Sequence, residues 1–276
     1  MDSRNRRARS VVGLAGLTAC VLWLGVAVSG QATQTTQKPK PFEPTVSQPG
    51  KDVVWVPTPQ SLVDKMLDMA KVTAADYVMD LGSGDGRIVI TAAKRGATAM
   101  GIEYNPDMVE LSKRNATAAG VTAKATFVKA DLFETDFSKA TVVTMFLLPT
   151  INMQLRPKIL ELKPGTRIVS NSFTMEDWEA DQTSTVTQDC NGWCTAYFWI
   201  VPAKVGGTWR LGQTALTLKQ QFQMLTGTLG SAAITNGRMR GSEVEFTVGT
   251  TRYAGTVAGT TMKGTTSTGQ SWTATK

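Results

Sequence analysis

A glycine-rich loop between a short apolar strand and a helix is the feature of this sequence that most clearly predicts chemistry. Asp80 lies in the predicted strand YVMDL, and the segment GSGDG follows with Gly82, Gly84 and Gly86. Glycines at this spacing let the backbone approach a ligand closely, and the first N–H groups of the next helix point toward it. The third glycine comes one residue earlier than in the GxGxxG pattern of dinucleotide-binding loops. The loop therefore predicts a nucleotide-like ligand without a pyrophosphate.

Carboxylates recur where the next two predicted strands end. Glu103 follows Asp80 by 23 residues, where an acidic side chain can accept hydrogen bonds from both hydroxyls of a ribose. Asp131 directly follows the third strand and could accept a hydrogen bond from an exocyclic adenine amine. Asp80 and Asp85 beside the glycine loop would repel a phosphate but would attract a cationic amine. These acids together favour S-adenosylmethionine, whose amino-acid end carries such an amine.

The composition excludes several other kinds of site. The 276 residues contain no histidine and three cysteines, which excludes a Ser-His-Asp triad and a Cys/His zinc site, and no metal is predicted. The net charge of +7 would ordinarily suggest nucleic-acid binding. However, residues 1–32 carry +3 and residues 205–276 carry +5, whereas residues 33–204 carry −1. No basic groove is expected over the glycine loop, and no nucleic-acid partner is predicted.

Helices and strands alternate through residues 53–204. Thr58 with Pro59, and Asn105 with Pro106, are typical of a helix cap followed by the first helical residue. Five apolar segments predict strands at 77–81, 97–104, 124–130, 141–147 and 166–172, and two more near 183–188 and 195–201 predict a hairpin. Strands that alternate with helices form a parallel sheet covered on both faces. The predicted fold class is therefore α/β.

Four separated segments, DLGSGDGR, GIEYN, ADLF and TMFLLPTINMQLRPKILELKPGTRIVS, resemble the class I S-adenosylmethionine-dependent methyltransferases. Within that superfamily the chain is most similar to bacterial relatives of the mitochondrial ATP-synthase c-subunit lysine methyltransferases, and more remotely to the non-SET histone lysine methyltransferases. The resemblance covers about residues 53–178, and its lysine-specific part rests on WVPTP, DLGSGDGR and FLLP. It implies a Rossmann-like, seven-stranded methyltransferase sheet and S-adenosylmethionine as cofactor.

The resemblance also implies roles for individual residues, although it assigns none as a catalytic acid or base. Asp80, Gly82 and Gly84 would hold the methionine moiety, and Glu103 would hold the ribose. Residues of the glycine loop and of the strand ends are implied to bind the cofactor: Asp80, Gly82, Ser83, Gly84, Asp85, Glu103, Tyr104, Asp131 and Leu132. Residues after the fourth strand are implied to line the pocket of the methyl acceptor: Phe146, Leu147, Leu148 and Pro149. Asn171 and Phe173, after the fifth strand, are further candidates for this pocket.

The segment after the fourth strand bears on the methyl acceptor. Methyltransferases that act on nucleobase or glutamine amines carry Asn or Asp, then Pro-Pro and an aromatic residue there, whereas this chain has Phe-Leu-Leu-Pro at 146–149. An apolar pocket suits a lysine, because its reference pKa of about 10.4 leaves only about one amine in a thousand neutral at pH 7 and desolvation favours the neutral form. A protein lysine is therefore the expected acceptor. The alternatives are that these side chains only fill the sheet core, that the acceptor is a small molecule or an envelope component, or that the fold binds without turnover.

The N-terminal segments predict export. Arginines at positions 4–9 precede the uncharged segment 11–30, so residues 1–32 are predicted to be a signal peptide or a membrane anchor. By the positive-inside rule the rest of the chain is then exported to the cell envelope or periplasm. Because the cofactor is made in the cytoplasm, export lends weight to the non-catalytic alternative. Residues 33–52, rich in Pro, Thr and Gln, predict a solvated linker.

Two features lie toward the C-terminal end. Cys190 and Cys194 remain once the leader is removed, and they are predicted to form a local disulfide, with two free thiols as the alternative. Residues 205–276 contain short alternating runs separated by Gly-containing turns, which predict a small antiparallel β domain, either a barrel or an open sheet. A disordered tail is the alternative, because the segment is rich in Gly and Thr. Its basic residues either contact an anionic surface or form a solvated face.

Overall fold

The structure, a computed structural model, describes residues 40–276. The predicted leader, residues 1–32, and residues 33–39 of the predicted linker lie outside the described residues. Within the described part of the chain, no helix is both long and apolar enough to cross a membrane. Residues 42–276 form one compact unit that contains all the elements below.

Helices and strands alternate between residues 60 and 200 in the predicted order. They are α1 (Gln60–Met69), β1 (Tyr77–Leu81), α2 (Arg87–Lys94), β2 (Thr98–Glu103), α3 (Pro106–Ala118), β3 (Ala125–Lys129), β4 (Val142–Met145), α4 (Pro149–Ile159), β5 (Arg167–Asn171), β6 (Gln182–Thr185) and β7 (Thr195–Ile200). The seven strands form one sheet in the order β3-β2-β1-β4-β5-β7-β6. The predicted Rossmann-like methyltransferase sheet is thereby confirmed.

The strand order places a crevice beside β1 and β4. Strands β1 to β5 run parallel, and β7 pairs antiparallel with both β5 and β6. The chain adds β2 and β3 on one side of β1, then returns to add β4 and β5 on the other. In such sheets, ligands bind at the carboxyl ends of the strands where the order reverses. The glycine loop after β1 lies at that point.

Both faces of the sheet are buried, as expected for a parallel sheet. Val78 of β1 packs with apolar residues of α1, α2 and α3 on one face. Met79 and Leu81 pack with residues of α4 on the other face. By the two-residue repeat of a strand, Asp80 lies on the same face as Val78.

The cap of α3 is confirmed. Asn105 has an extended backbone, and its side chain accepts a hydrogen bond from the N–H of Asp107 at 2.9 Å. Pro106 is the first helical residue, where its missing N–H costs nothing. This cap fixes the direction in which α3 leaves the end of β2.

The predicted cap of α1 is wrong. The helix begins at Gln60 with Pro59 as the cap residue, and no side chain caps it. Thr58 is buried, and its hydroxyl accepts a hydrogen bond from Asn171 Nδ2 at 3.1 Å. Because the Asn171 side chain is fully buried, its amide needs a partner inside the protein, and Thr58 provides one.

Residues 207–275 form the second part of the fold, a closed antiparallel barrel. Its strands are β8 (Gly207–Leu211), β9 (Thr214–Gln221), β10 (Met224–Leu229), β11 (Ala232–Arg240), β12 (Glu243–Val248), β13 (Thr251–Ala258), β14 (Thr261–Thr266) and β15 (Ser271–Thr275). Apolar side chains fill the interior, among them Trp209, Phe246 and Trp272. The predicted small antiparallel β domain is thus confirmed, and it is a barrel rather than an open sheet.

The barrel packs directly against the α/β domain. Phe222, in the turn between β9 and β10, stacks on the buried Trp178 with ring centroids 5.7 Å apart. Arg238 of β11 forms an ion pair with Asp181 at 2.5 Å. An apolar contact and a charged contact therefore join the two parts on the side of β6 and β7.

Candidate active site

The glycine loop has a backbone that other residues adopt only with strain. Gly82, Gly84 and Gly86 have φ angles of +78°, +54° and +82°, in the left-handed region that favours glycine. A Cβ on Gly86 would lie 2.7 Å from the Phe127 ring, and one on Gly84 would lie 2.7 Å from Trp55 Nε1. Both conformation and space therefore require glycine here, which leaves the loop backbone open toward the crevice.

Glu103 is held in a fixed orientation at the end of β2. Its Oε2 accepts a hydrogen bond from the N–H of Gly84, and its Oε1 accepts one from the N–H of Asn105, each at 2.9 Å. A carboxylate has about four acceptor positions, so both oxygens keep one for a ligand. Glu103 thus links the glycine loop to the start of α3 and still presents acceptors to the cavity, as ribose binding requires.

Asp80 is a buried carboxyl that lines the same cavity. Its Oδ1 accepts a hydrogen bond from the Thr144 hydroxyl at 2.7 Å. The pKa of Asp80 is raised to about 7, mainly by burial and to a smaller extent by the nearby carboxylates of Glu103 and Asp85, while the hydrogen bond from Thr144 opposes the rise. A cationic ligand amine beside Asp80 would lower this pKa, because it favours the ionised form of the carboxyl group.

Asp131 follows β3 and is paired with a residue that sequence reasoning missed. Its Oδ2 accepts a hydrogen bond from Lys51 Nζ at 2.6 Å, and its Oδ1 accepts one from the N–H of Phe133 at 2.9 Å. The Lys51 hydrogen bond and the Phe133 N–H lower the pKa of Asp131, and the same hydrogen bond raises the pKa of Lys51. The Lys51 ammonium also lies 4.9 Å from the centroid of the Tyr104 ring.

Lys51 belongs to a short turn that we call the strap, residues 47–55. Its two arms pair through backbone hydrogen bonds, from Ser47 N to Trp55 O at 2.8 Å and from Trp55 N to Gln48 O at 2.9 Å. Most of the strap lines the cavity. Where the sequence predicted a solvated linker through residue 52, the chain instead folds over the glycine loop. The Pro-Gly pair at 49–50, which marks a tight turn, was the available signal.

The remaining predicted cofactor residues differ in their surroundings. Asp85 lines the cavity but is paired with Arg87, whose Nη2 lies 2.6 Å from Asp85 Oδ2. Ser83 is buried beside Gly101, and its hydroxyl has no hydrogen-bond partner among the described residues. Tyr104 and Leu132 both line the cavity. All nine predicted cofactor residues thus line one crevice.

The predicted acceptor residues are only partly brought together. Phe146, Leu147 and Leu148 line the cavity, whereas Pro149 forms the first turn of α4. Asn171 is fully buried in a hydrogen-bond network with Thr58 and Ser172, and it is not among the described residues that line the cavity. The acceptor end is therefore built mainly from the loop after β4.

Two further aromatic residues complete the acceptor end: the predicted candidate Phe173, and Trp193, which the sequence did not single out. Phe173 follows β5, and Trp193 lies in the loop between β6 and β7; both line the cavity beside Phe146. Cys190 and Cys194 are joined by a disulfide on either side of Trp193, with their Cα atoms 5.9 Å apart. A pattern of alternating strands contains no signal that this loop reaches the pocket.

The cavity joins both sets of residues. Its volume is about 540 Å³, within the range of small-molecule sites. One end presents the positive-φ glycine backbone and the carboxyl groups of Asp80 and Glu103, and the other end is apolar. This donor and acceptor set fits S-adenosylmethionine, with its amino-acid end and ribose at the polar end. The cofactor supplies an electrophilic methyl group on a sulfonium sulfur.

Comparisons with known proteins agree with this geometry. The family model of the ANTKMT methyltransferase domain matches residues 80–182. A protein of Saccharolobus islandicus named protein-lysine N-methyltransferase is 46% identical over 152 residues, which cover 54% of this chain and 94% of that protein. The chain belongs to this family of S-adenosylmethionine-dependent methyltransferases. The predicted resemblance, cofactor and enzyme class are confirmed.

Other members of the family are less completely covered. The human lysine N-methyltransferase of the ATP-synthase c-subunit is 36% identical over 131 residues, which are 47% of this chain and 56% of the human protein. The chain thus spans about half the length of that relative. A crystal structure described as an RNA methyltransferase from Salinibacter ruber in complex with S-adenosyl-L-homocysteine is 47% identical, with a TM-score of 0.51, covering 54% of this chain and 96% of that one.

Proposed function

We propose that this methyltransferase transfers the methyl group to the side-chain amine of a protein lysine. The observation that carries the proposal is the apolar acceptor end of the cavity, formed by Phe146, Leu147 and Phe173 next to the cofactor residues. Such surroundings lower the pKa of a lysine amine and so favour its neutral, nucleophilic form. The name of the Saccharolobus relative supports the same acceptor.

The chain contributes positioning rather than proton chemistry. The backbone of the glycine loop and the carboxylate of Glu103 hold the cofactor, and the apolar side chains exclude water from the amine. No histidine is needed, because methyl transfer to a neutral amine requires alignment more than a general base. The amine proton leaves to solvent at the open acceptor end.

RNA is the competing acceptor, because a structure 47% identical to this chain is described as an RNA methyltransferase. The Phe-Leu-Leu-Pro segment at 146–149 and the charge of −1 over residues 33–204 both disfavour it. A nucleobase amine needs hydrogen-bond partners at its edge, which an apolar wall does not supply. Lysine is therefore the better match.

The proposal is tested by offering both acceptors to the purified full chain. Cell-envelope protein and total RNA are each incubated with isotopically labelled S-adenosylmethionine, hydrolysed, and analysed by mass spectrometry. We expect labelled methyllysine from the protein fraction and no labelled nucleoside. A labelled nucleoside without methyllysine would contradict the lysine proposal, and the Glu103→Ala variant is the control for enzyme-dependent labelling.

We also propose that residues 1–32 direct the rest of the chain to the cell envelope, with 11–30 as a membrane tether where it is not cleaved. The arginines before residue 11 and a disulfide at Cys190–Cys194 both support export. In a Cys20→Ser variant, intact cells are treated with a membrane-impermeant maleimide before and after an impermeant reductant. Labelling that requires the reductant supports export, whereas reduced thiols that react only after lysis contradict it.

A further inference from the structure

Three aromatic rings meet at the acceptor end of the cavity. The ring centroids of Phe173 and Trp193 are 5.3 Å apart, those of Phe146 and Trp193 are 5.9 Å apart, and those of Phe146 and Phe173 are 6.0 Å apart. The rings come from three separate loops, after β4, after β5 and between β6 and β7. We call this group the aromatic wall.

Trp193 is the exposed member of the wall. It is 49% exposed, although a tryptophan normally gains most from burial. An exposed indole face at the rim of a cavity is available to a ligand that enters from solvent. The two phenylalanines lie behind it and hold it in place through ring contacts.

The backbone of Trp193 adopts a conformation that is rare for a bulky residue. Its φ angle is +58°, and that of Asp189 in the same loop is +52°. Bulky residues keep a positive φ angle only where the surrounding structure holds them in it, and residues with such backbone strain cluster at functional sites. Here the loop is closed by the Cys190–Cys194 disulfide, and its base is joined by a hydrogen bond from Val186 N to Cys194 O at 2.9 Å.

The aromatic wall carries no charge of its own, and the acidic residues of the cavity lie among the cofactor residues and the strap. Five acidic side chains and two basic ones line the cavity among the described residues. Both basic residues, Lys51 and Arg87, are paired with aspartates at the cofactor end. The faces of aromatic rings attract alkylammonium groups, and indole does so most strongly.

We propose that Trp193, beside Phe146 and Phe173, binds the acceptor's alkylammonium side chain at the rim of the cavity, before the amine loses its proton to solvent and enters the apolar pocket as the neutral nucleophile. The Cys190–Cys194 disulfide acts as a positioning device that keeps Trp193 there. This inference rests on the proposed lysine acceptor and adds a specificity residue and a redox dependence to it. Opening the disulfide weakens acceptor binding but leaves cofactor binding intact. The reason is that, among the described residues, no hydrogen bond joins Glu103 or the glycine loop to the loop at 190–194.

The first test measures ligand binding without turnover. Full-length protein labelled with ¹⁵N at tryptophan is titrated with butyltrimethylammonium and with its uncharged carbon isostere, and the indole N–H signal of Trp193 is assigned by its loss in Trp193→Phe. We expect the Trp193 signal to shift with the cation and at least fivefold less with the isostere. Equal shifts with both probes, or no shift, would overturn the cation-binding role.

The second test distinguishes the contribution of the disulfide from that of the Trp193 ring. The variants are Trp193→Ala, Trp193→Phe and Cys190→Ser/Cys194→Ser, with Met224→Ala as a control because Met224 is similarly exposed on the barrel. For a lysine acceptor we expect KM to rise at least tenfold in the alanine and double-serine variants and to rise less than threefold in Trp193→Phe. The KM for S-adenosylmethionine should change less than twofold in all of them, and reduction of the wild type by dithiothreitol should reproduce the double-serine result.

The outcomes distinguish this inference from the proposed function. Methyllysine formation whose acceptor KM is the same in wild type and Trp193→Ala overturns the inference alone. A wild type that binds S-adenosyl-L-homocysteine but methylates no lysine overturns the proposed function, and the indole titration then still decides whether the aromatic wall binds cations. Variants that fail to bind S-adenosyl-L-homocysteine would show that the loop supports the whole fold, which also overturns the positioning role.

Discussion

The Lys51 ammonium donates a hydrogen bond to Asp131 across 2.6 Å, so that the tip of the strap is tied to the end of β3. The same carboxylate is the predicted partner of the adenine amine. Each of its oxygens already accepts one hydrogen bond and retains a second acceptor position. The side chain of Asp131 therefore both anchors the strap and is the predicted partner of the adenine.

Removing this ion pair should accelerate ligand release. In Lys51→Ala we expect S-adenosyl-L-homocysteine to dissociate about two- to fivefold faster, because the strap loses its tie while the contacts of Glu103 remain. High salt should bring the wild-type rate toward that of the variant, because ions screen a partly exposed pair. Stopped-flow displacement measures both rates.

A matched control for this prediction lies on the surface of α3. Lys113 pairs with Glu110 at 2.8 Å, away from the cavity. Lys113→Ala should leave the dissociation rate unchanged. An equal effect of the two substitutions would mean that general charge, not the strap, controls release.

The pKa of Asp80, raised to about 7 by burial, predicts an unusual dependence of stability on pH. An aspartate in the unfolded chain titrates near 3.9, so between about pH 4 and pH 7 the native state holds a proton that the unfolded state has released. The free energy of unfolding therefore falls as pH rises through this window, by roughly 2–3 kcal/mol from Asp80 between pH 5 and pH 8. Urea unfolding of the ligand-free protein at both values measures it.

Asp80→Asn serves as the reference for that measurement, since it retains the size of the side chain but does not titrate. Contributions from all other groups are shared by the two proteins and cancel in the comparison. We expect the asparagine variant to gain stability relative to the wild type as pH rises. Parallel pH profiles for the two proteins would show that Asp80 titrates normally.

Replacing Glu103 even with glutamine, its amide counterpart, should weaken ligand binding. In Glu103→Gln, one side-chain oxygen becomes an NH₂ group that faces the N–H of either Gly84 or Asn105, so two donors oppose each other. We expect calorimetric binding of S-adenosyl-L-homocysteine to weaken about 10- to 100-fold, in line with the loss of one or two charge-assisted hydrogen bonds. NADH should bind neither protein. Glu110→Gln, an exposed change on α3, should bind like the wild type.

Alanine substitutions at two glycines with positive φ should measure the cost of backbone strain and the cost of a steric clash separately. Gly86 has φ +82° and a Cβ there would meet the Phe127 ring at 2.7 Å, whereas Gly120 has φ +69° and nothing within 4 Å of a Cβ. Gly120→Ala should lower the free energy of unfolding by about 1 kcal/mol, and Gly86→Ala by about 3 kcal/mol. Chemical denaturation of both variants tests this, and equal losses would show that Phe127 moves aside.

The predictable parts of this protein are those that local sequence determines. The strand ends at Asp80 and Glu103, the turn glycines and the Asn105 cap depend on residues close together in the chain, and the sequence located all of them. Thr58 was misassigned because a cap pattern is shared by many turns, and its true partner, Asn171, lies 113 residues away.

The strap and Trp193 could not be located for a related reason. Residues 47–52 have the composition of a linker, and tertiary partners such as Asp131 and Met108 give them a fixed place. Trp193 reaches the cavity because the hairpin of β6 and β7 turns back toward the loop after β5. Contacts of this kind depend on the arrangement of the whole sheet, which periodicity does not encode.

The barrel has one seam. Every strand from β8 to β15 pairs with its neighbour in the chain, and only the pairing of β15 with β8 joins distant segments. That pairing has two register positions, Ala274 with Leu211 and Thr275 with Arg210, whereas every other pair in the barrel has at least four. Local opening is cheapest where the fewest backbone hydrogen bonds must break. Amide hydrogens of β8 and β15 along this seam will therefore exchange with solvent before those of the hairpins. The barrel will begin to unfold by separation of these two strands, before it separates as a unit from the α/β domain.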